Sequence, residues 1–230
     1  MNELEQKVRE RAAEWTQAPF DAATREEVQA MLDEGGEALI ESFYTDLEFG
    51  TGGLRGIMGH GTNRMNAYTV AMATQGLANY ILAAKVADPS VAIAFDSRNR
   101  SPEFAQVAAE VLAGNGIHAH VFSELRPTPE LSFAVRHLGC TAGIVLTASH
   151  NPKEYNGYKV YWSDGGQIVP PHDAGIIAEV RQVKGPSAVR RAAADNPLIH
   201  EIDSAVDEAY RAVLRGYRLH SGLIAEGSDL

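Results

Sequence analysis

The amino-acid sequence predicts a three-layer α/β/α sandwich with a mostly parallel sheet, followed by a C-terminal helical stub of a second domain. Three short and largely apolar runs, VAIAFD, IHAHVF and AGIVLT, have the length of buried strands. They alternate with two segments of helical spacing, residues 101–116 and 126–139. Alternation of this kind indicates parallel strands joined by right-handed crossovers, with helices packed on the sheet.

The elements before this core are predicted to be helices. Residues 2–44 favour two or three short helices, because Pro19 and the Gly35–Gly36 pair disfavour helix continuation. Residues 66–85 favour a longer helix, since apolar residues recur at helical spacing and Asn66 is a suitable N-cap. We expect this longer helix to cover the sheet.

The core helices and the elements after them carry boundary signals of their own. Ser101 is predicted to cap the first core helix, with Pro102 in the first turn, and the second core helix opens at Thr128–Pro129 and closes at Gly139. Beyond them, GYKVYWSDGGQIV predicts a strand and a turn, and PHDAGIIAEVRQV predicts one more helix.

Two domains are predicted, of which the second is incomplete. Residues 1–185 form the α/β/α domain, residues 186–198 a linker with the proline and charge typical of linkers, and residues 199–230 the start of a second domain. The predicted helix near residues 203–218 has an apolar stripe on one face, and that stripe needs a further layer to cover it.

The composition excludes some partners. The chain of 230 residues has 20 Lys and Arg against 30 Asp and Glu, a net charge of −10, which disfavours a nucleic-acid or anionic-membrane surface. The single cysteine, Cys140, suits a reducing compartment, and the charged amino terminus lacks the apolar stretch of a signal peptide. We expect a cytoplasmic protein without nucleic-acid or membrane partners; the oligomeric state cannot be read.

The loops after the three parallel strands, DSRNR, SELRPT and TASHNP, are expected to meet at one edge of the sheet, where open α/β folds bind ligands. Ser149 in the last loop is either a turn residue or a nucleophile. A serine hydrolase is the rival, but the G-x-S-x-G elbow is missing, and in extended backbone His150 would point away from Ser149. Nearby Lys153 and Lys159 favour a phosphoryl carrier instead.

Two further segments have both a structural and a functional interpretation. In FGTGGLRG, the glycines are either an ordinary turn or an anion site that Arg55 would grip. In DSRNR, the residues Asp96, Arg98 and Arg100 are either a capped, solvated loop or a source of positive field near the site.

Together, TASHNP, GTGGLRG and NGYK resemble, in order, the phosphoserine loop, the amino-terminal arginine loop and the following lysine of the α-D-phosphohexomutases, the phosphoglucomutase and phosphomannomutase superfamily. The resemblance covers about residues 44–183. GTGGLRG followed by GTNRMN, with ELRPTPELSFAVR, is most similar to the phosphoglucomutase and phosphopentomutase branch.

The resemblance implies a mutase that carries phosphate on Ser149, passes it to a sugar phosphate and takes the other phosphate back from the bisphosphate. Arg55 and Lys159 would flank the transferring group, and His150 or Lys159 would be the general acid or base. The residues implied in phosphate binding are Thr51, Gly52, Arg55, Asn151 and Lys159. Phosphopentomutase and phosphomannomutase activities are the near alternatives, and a serine hydrolase or a non-enzymatic sugar-phosphate-binding module are alternatives of another class.

The resemblance also implies Mg²⁺, bound partly through the phosphate on Ser149, and glucose 1,6-bisphosphate as activator. The family's aspartate-rich metal loop has no counterpart in this sequence. We therefore expect the 230 residues alone to fold but to be catalytically incomplete.

Overall fold

The computed structural model describes residues 2–219 and contains a six-stranded sheet in the order β1-β5-β4-β2-β3-β6. The strands are β1 Gly53–Ile57, β2 Ser90–Phe95, β3 His118–Phe122, β4 Ala142–Leu146, β5 Tyr155–Trp162 and β6 Ile199–Ile202. Strands β4, β2, β3 and β6 are parallel, whereas β5 is antiparallel to both β4 and β1. The predicted mostly parallel α/β sheet is therefore confirmed.

Helices cover both faces of this sheet. They are α1 Glu3–Glu14, α2 Ala22–Glu34, α3 Gly36–Phe43, α4 Ala67–Ala83, α5 Ser101–Gly114, α6 Thr128–His137, α7 His172–Gln182 and α8 Ser204–Gly216. Alternate residues of β2 separate the two cores: Val91 and Ile93 pack with α4 and α5, while Ala92 and Ala94 pack with α6. The result is the three-layer arrangement that the alternating sequence pattern predicts.

The amino-terminal helices have a small core of their own. Trp15 stacks on Phe20 at 4.3 Å between ring centroids, and it meets Phe43 and Tyr68 edge-on. Because Tyr68 lies in the first turn of α4, this aromatic cluster attaches the three helices to the α/β domain. The helix breaks predicted near Pro19 and Gly35 are present.

Helix boundaries agree with the sequence signals, with one exception. Asn66 caps α4 as predicted, its side chain accepting bonds from the backbone N–H groups of Tyr68 and Thr69. Ser101, however, is the first residue of α5 rather than its cap. The cap position is held by Arg100 in left-handed backbone, and the Ser101 hydroxyl donates to Asp96 at 2.9 Å instead.

Two strands that the sequence did not reveal complete the sheet. β1 forms within the glycine-rich segment, and β6 adds to the far edge by pairing in parallel with β3. Helix α8 then packs beside α6, where the Tyr210 and Phe133 rings are 5.4 Å apart. Residues 199–202 thus belong to the same sheet, and the assignment of residues 199–230 to a second domain stays a prediction.

The apolar stripe of α8 is only half covered among the described residues. Val206 is buried in the core beneath α6, whereas Val213, Leu214 and Tyr217 are 42%, 47% and 76% exposed. No helix within residues 2–219 has the length and hydropathy needed to cross a membrane.

Candidate active site

Ser149 lies just beyond the carboxyl end of β4 and is exposed. Its backbone is left-handed, with φ at +57°, which is uncommon for a residue other than glycine. The Ser149 N–H donates to the Thr147 hydroxyl at 3.0 Å and so fastens the turn to the end of the strand. A strained, exposed serine at this position suits a reactive group, because parallel sheets present their functional residues here.

The left-handed turn brings Ser149 and His150 together. Their Oγ and Nδ1 atoms are 3.3 Å apart. The inference that the two side chains point to opposite faces was wrong, because it assumed extended backbone and Ser149 is not extended. His150 can therefore exchange a proton with the Ser149 hydroxyl.

Arg98 holds the same loop from the other side. One terminal nitrogen donates to the carbonyls of Pro152 and Tyr155 at 2.8 and 3.0 Å, and the other to those of Ser149 and Asn151 at 2.9 and 2.6 Å. The sequence left open a capped, solvated loop or a positive field near the site. The structure shows a guanidinium group that fixes the backbone of the serine loop.

Polar contacts also join the loop after β2 to β5. Asp96 accepts bonds from the Ser101 hydroxyl and from the Arg98 N–H, at 2.9 and 3.0 Å. The buried Asn156 side chain donates to the Ser101 hydroxyl at 2.9 Å and to the Asn99 carbonyl at 3.1 Å. Since buried polar groups are costly unless they are bonded, this network fixes the relative positions of the two segments.

The glycine-rich segment forms a tight hairpin beside the serine loop. Gly50 and Gly53 exchange backbone hydrogen bonds at 2.9 and 3.1 Å. Gly53 pairs with Lys159, and a Cβ atom on Gly53 would lie 1.8 Å from the Tyr158 carbonyl oxygen. Only glycine fits this close approach. The φ of Gly53, +132°, also excludes residues with a side chain.

Four of the predicted phosphate-binding residues line one cavity of about 590 Å³. They are Thr51, Gly52, Arg55 and Lys159. The pKa of Lys159 is lowered from its ordinary value by burial and by the charge of Arg55, and the charge of Asp96 partly opposes this. Two cations held this close favour an anionic ligand, because it would relieve their repulsion.

Ser149, His150 and Asn151 lie on the neighbouring loop and outside the lining of that cavity. The two parts are joined across three strands: Arg55 pairs with Gly157, whose carbonyl accepts the Thr147 N–H at 3.0 Å.

The Asn151 Oδ1 atom is buried and accepts no hydrogen bond within the described part of the chain. A larger cavity of about 720 Å³, beside Trp15 and Ile177, contains none of the predicted site residues.

Residues 46–186 match the profile of the phosphoglucomutase/phosphomannomutase alpha/beta/alpha domain I. The chain belongs to this family. The match covers the serine loop, the glycine-rich hairpin and Lys159 in one unit. The resemblance read from the three sequence motifs is therefore confirmed.

Among relatives of this phosphoglucomutase/phosphomannomutase chain, human phosphopentomutase is 37% identical over 93% of the chain, and a Staphylococcus epidermidis phosphoglucomutase is 40% identical over 76%. The chain covers 37% and 35% of those two proteins, so it spans about a third of their length. A Thermus thermophilus protein assigned as a phosphomannomutase shares the fold, with a TM-score of 0.63 and 30% identity over 75% of the chain and 36% of that protein.

A metal site is not complete within the described residues. Residues 2–219 hold no group of three or more His, Cys, Asp or Glu side chains arranged to bind a metal ion. Ser149 is the one metal ligand that the resemblance implies, through a phosphate, and that role stays a prediction.

Proposed function

We propose that this chain carries the phosphoserine domain of a phospho-sugar mutase of the phosphoglucomutase type. The enzyme would interconvert sugar 1-phosphates and 6-phosphates through a phosphoserine and a bisphosphate intermediate. The single observation that supports this most is the strained, exposed Ser149 at the end of β4, in contact with His150.

In the proposed reaction, the bond between phosphorus and Ser149 Oγ breaks as a bond forms to a hydroxyl of the sugar phosphate. The hydroxyl loses a proton and Ser149 Oγ gains one. His150 Nδ1, 3.3 Å from Oγ, is placed to supply the proton at Ser149. The bisphosphate then reorients within the site and returns its other phosphoryl group to Ser149.

The cations serve the transferring group. Negative charge spreads over the phosphoryl oxygens during transfer, and positioned cations stabilise that charge. Arg55 offers a planar fork for two oxygens, while Lys159, whose pKa is lowered, is the second candidate for proton transfer. When bound, Mg²⁺ would supply further charge neutralisation through the phosphate on Ser149.

The proposed substrate is a sugar phosphate. Glucose phosphate as substrate and glucose 1,6-bisphosphate as activator follow from the phosphoglucomutase resemblance. The human relative named phosphopentomutase makes a pentose phosphate the nearest alternative, and the Thermus structure adds mannose phosphate. Sugar phosphates are the proposed partners in each case.

A serine hydrolase is the rival of another class, because a serine in contact with a histidine supplies two of the three members of a catalytic triad. Within the described residues, however, His150 has no carboxylate bonded to its ring. The positive surroundings of Lys159 and Arg55 also suit a phosphate better than a neutral acyl group.

Intact-mass measurement tests the proposal. The chain, joined to the further domains that a full-length relative carries, is incubated with glucose 1,6-bisphosphate and Mg²⁺, beside Ser149→Ala as the control. We expect the mass of one phosphate on the wild-type chain, mapping to Ser149 and missing from the variant. Labelling of Ser149 by a fluorophosphonate, with no phosphate uptake, would favour the hydrolase and contradict the mutase. Absence of both would favour a binding module.

A further inference from the structure

We infer that Arg98 is a positioning residue for phosphoryl transfer, acting through the peptide groups of the serine loop. The inference rests on the proposed function of Ser149. Arg98 reaches no reacting atom in the structure; its contacts are the backbone carbonyls of Ser149, Asn151, Pro152 and Tyr155 and the carboxylate of Asp96. Its effect on the reaction is therefore indirect, and is exerted through the conformation of the loop and the positive charge behind it.

The geometry requires an arginine. A guanidinium group has five N–H donors in a rigid plane, and here the two terminal nitrogens supply four bonds to four carbonyls. The remaining Nε lies 3.4 Å from Asp96, which also accepts the Arg98 N–H and so orients the side chain. An ammonium group has three donors at a single point and cannot span carbonyls of residues 149 to 155.

Fixing these carbonyls also fixes the N–H groups of the same peptide units. In a planar trans peptide the C=O and N–H bonds point in opposite directions. Because the carbonyls of Ser149 and Pro152 point at Arg98, the N–H groups of His150 and Lys153 point away from it. Neither N–H donates to any group within residues 2–219, so both are available to an anion on that side of the loop.

Charge favours the same role. Carbonyl partners are neutral, and within residues 2–219 the carboxylate that forms an ion pair with Arg98 is that of Asp96, at 3.4 Å. The side chain of Arg98 is 13% exposed, and partial burial weakens screening by solvent. Arg98 therefore does two things for a phosphoryl group on Ser149: it sets the direction of two backbone donors, and it adds a positive charge behind the loop.

Four variants separate this role from a general effect on folding. Arg98→Gln removes the planar guanidinium donors and the charge, and Arg98→Lys keeps the charge without the planar donors. Arg100→Gln is the matched control, because Arg100 lies two residues away and its guanidinium bonds to Glu103 rather than to the loop. Arg98→Ala is supplied with low-millimolar guanidinium ion or with methylammonium. Guanidinium replaces the planar donors and the charge, whereas methylammonium replaces the charge alone.

Nuclear magnetic resonance gives a readout that does not depend on activity. In both Arg98→Gln and Arg98→Lys, we expect hydrogen exchange at the Ser149 and Asn151 amides to speed up by about tenfold or more, while the amides of β4 keep their protection. Guanidinium, but not methylammonium, should restore the loop signals of Arg98→Ala. Loop amides that exchange at the wild-type rate in Arg98→Gln would overturn the inference.

The rate of phosphate uptake by Ser149 from glucose 1,6-bisphosphate, measured in the chain joined to the further domains of a full-length relative, provides the second readout. Misplacement of the loop should slow uptake by about a hundredfold in Arg98→Gln and Arg98→Lys. Arg100→Gln should stay within about twofold of wild type, because an exposed ion pair contributes little. If Arg98→Gln takes up phosphate as fast as wild type, Arg98 is not a positioning residue, although the proposed function stands. If wild type takes up none, the proposed function fails, and the exchange data alone decide the role of Arg98 in the loop.

Discussion

Arg98 and Arg126 lie at the same edge of the sheet and are almost equally buried, with side chains 13% and 14% exposed, yet they have different partners. Arg98 donates mainly to backbone carbonyls. Arg126 forms a two-bond pair with Asp207 at 2.8 and 2.9 Å and lies 3.4 Å from Asp203. One arginine thus organises a loop, whereas the other attaches α8 to the sheet.

The comparison shows that the partners of a buried arginine decide how much of its positive charge acts on its surroundings. Two carboxylates neutralise Arg126, and its guanidinium in turn lowers the pKa of Asp207 below its usual range. Arg98 has carbonyl partners and one carboxylate at 3.4 Å, so more of its positive charge acts on the surrounding loop. The carboxylate pair favours stability, and the carbonyl set favours a positive site beside Ser149.

The largest effect is expected from breaking the carboxylate pair. Arg126→Met should lower the free energy of unfolding by about 3–5 kcal/mol, because it leaves the buried Asp207 without its partner. Chemical denaturation of the whole chain measures this change. Adding Asp207→Asn to Arg126→Met should recover part of the loss, since the unpaired charge is then gone.

A small effect of Arg126→Met, below about 1 kcal/mol, would place the pair among surface salt bridges and would erase the contrast with Arg98.

The second effect concerns the strands beneath the serine loop. Gly157→Ala should destabilise the chain by about 2–3 kcal/mol, because the added Cβ would lie 2.5 Å from the Thr147 carbonyl oxygen and 3.1 Å from that of Leu54. Both contacts are backbone atoms, which cannot turn aside. Thermal unfolding measures the loss, and Gly216→Ala, with no atom within 4 Å of the added Cβ and no positive φ, is the control and should change stability little.

Equal stabilities of Gly157→Ala and Gly216→Ala would show that the approach of β4 to β5 is not tight, and the base of the Arg98 loop would then be less constrained than the structure indicates.

Much of this fold could be predicted because its signals are local. Apolar runs and helix caps such as Asn66 depend on neighbours in sequence, and they placed β2, β3, β4 and most helices. Strands β1 and β6 gave no such signal. GLRGI contains two glycines, and IHEI has four residues after a polar segment, so both become strands only through pairing with β5 and β3.

The same limit applies to the site. The motifs identified Ser149, Arg55 and Lys159, and the structure places the last two in one cavity. The role of Arg98 could not be predicted, because its acceptors lie more than 50 residues away in the chain and are backbone atoms that any sequence provides. The contact between Ser149 and His150 was missed because a positive φ at serine has no signature in sequence.

Removing Arg98 should cost less global stability than removing Arg126. Arg98→Gln should lower the free energy of unfolding by about 1–2 kcal/mol, since the freed loop carbonyls can turn toward water beside the exposed Ser149. Denaturation under the conditions used for Arg126→Met gives the comparison. A loss as large as that of Arg126→Met would mean that the carbonyl set also holds the sheet together.

The smallest effect tests the surroundings of Arg126 through pH. Glu130 is 6% exposed, and burial, together with the neighbouring Asp207 carboxylate, raises its pKa from the ordinary 4.5. Because folding raises this pKa, the protonated form of Glu130 fits the folded protein better than the ionised form. The contribution of Glu130 to the free energy of unfolding is therefore complete below about pH 4.5, and it is lost as the pH rises through the pKa of the folded protein. Glutamine keeps a donor for Asp207 and carries no charge. The free energy of unfolding of Glu130→Gln should therefore match that of wild type near pH 4 and exceed it by roughly 0.5–1 kcal/mol at pH 7.

Denaturation across this pH range measures the difference. Glu124, an exposed carboxylate 3.9 Å from Arg126, provides the control: Glu124→Gln should differ from wild type by close to zero. If Glu130→Gln were instead less stable than wild type at pH 7, the ionised Glu130 would be a partner that Arg126 needs, and the pair with Asp207 would not neutralise Arg126 alone.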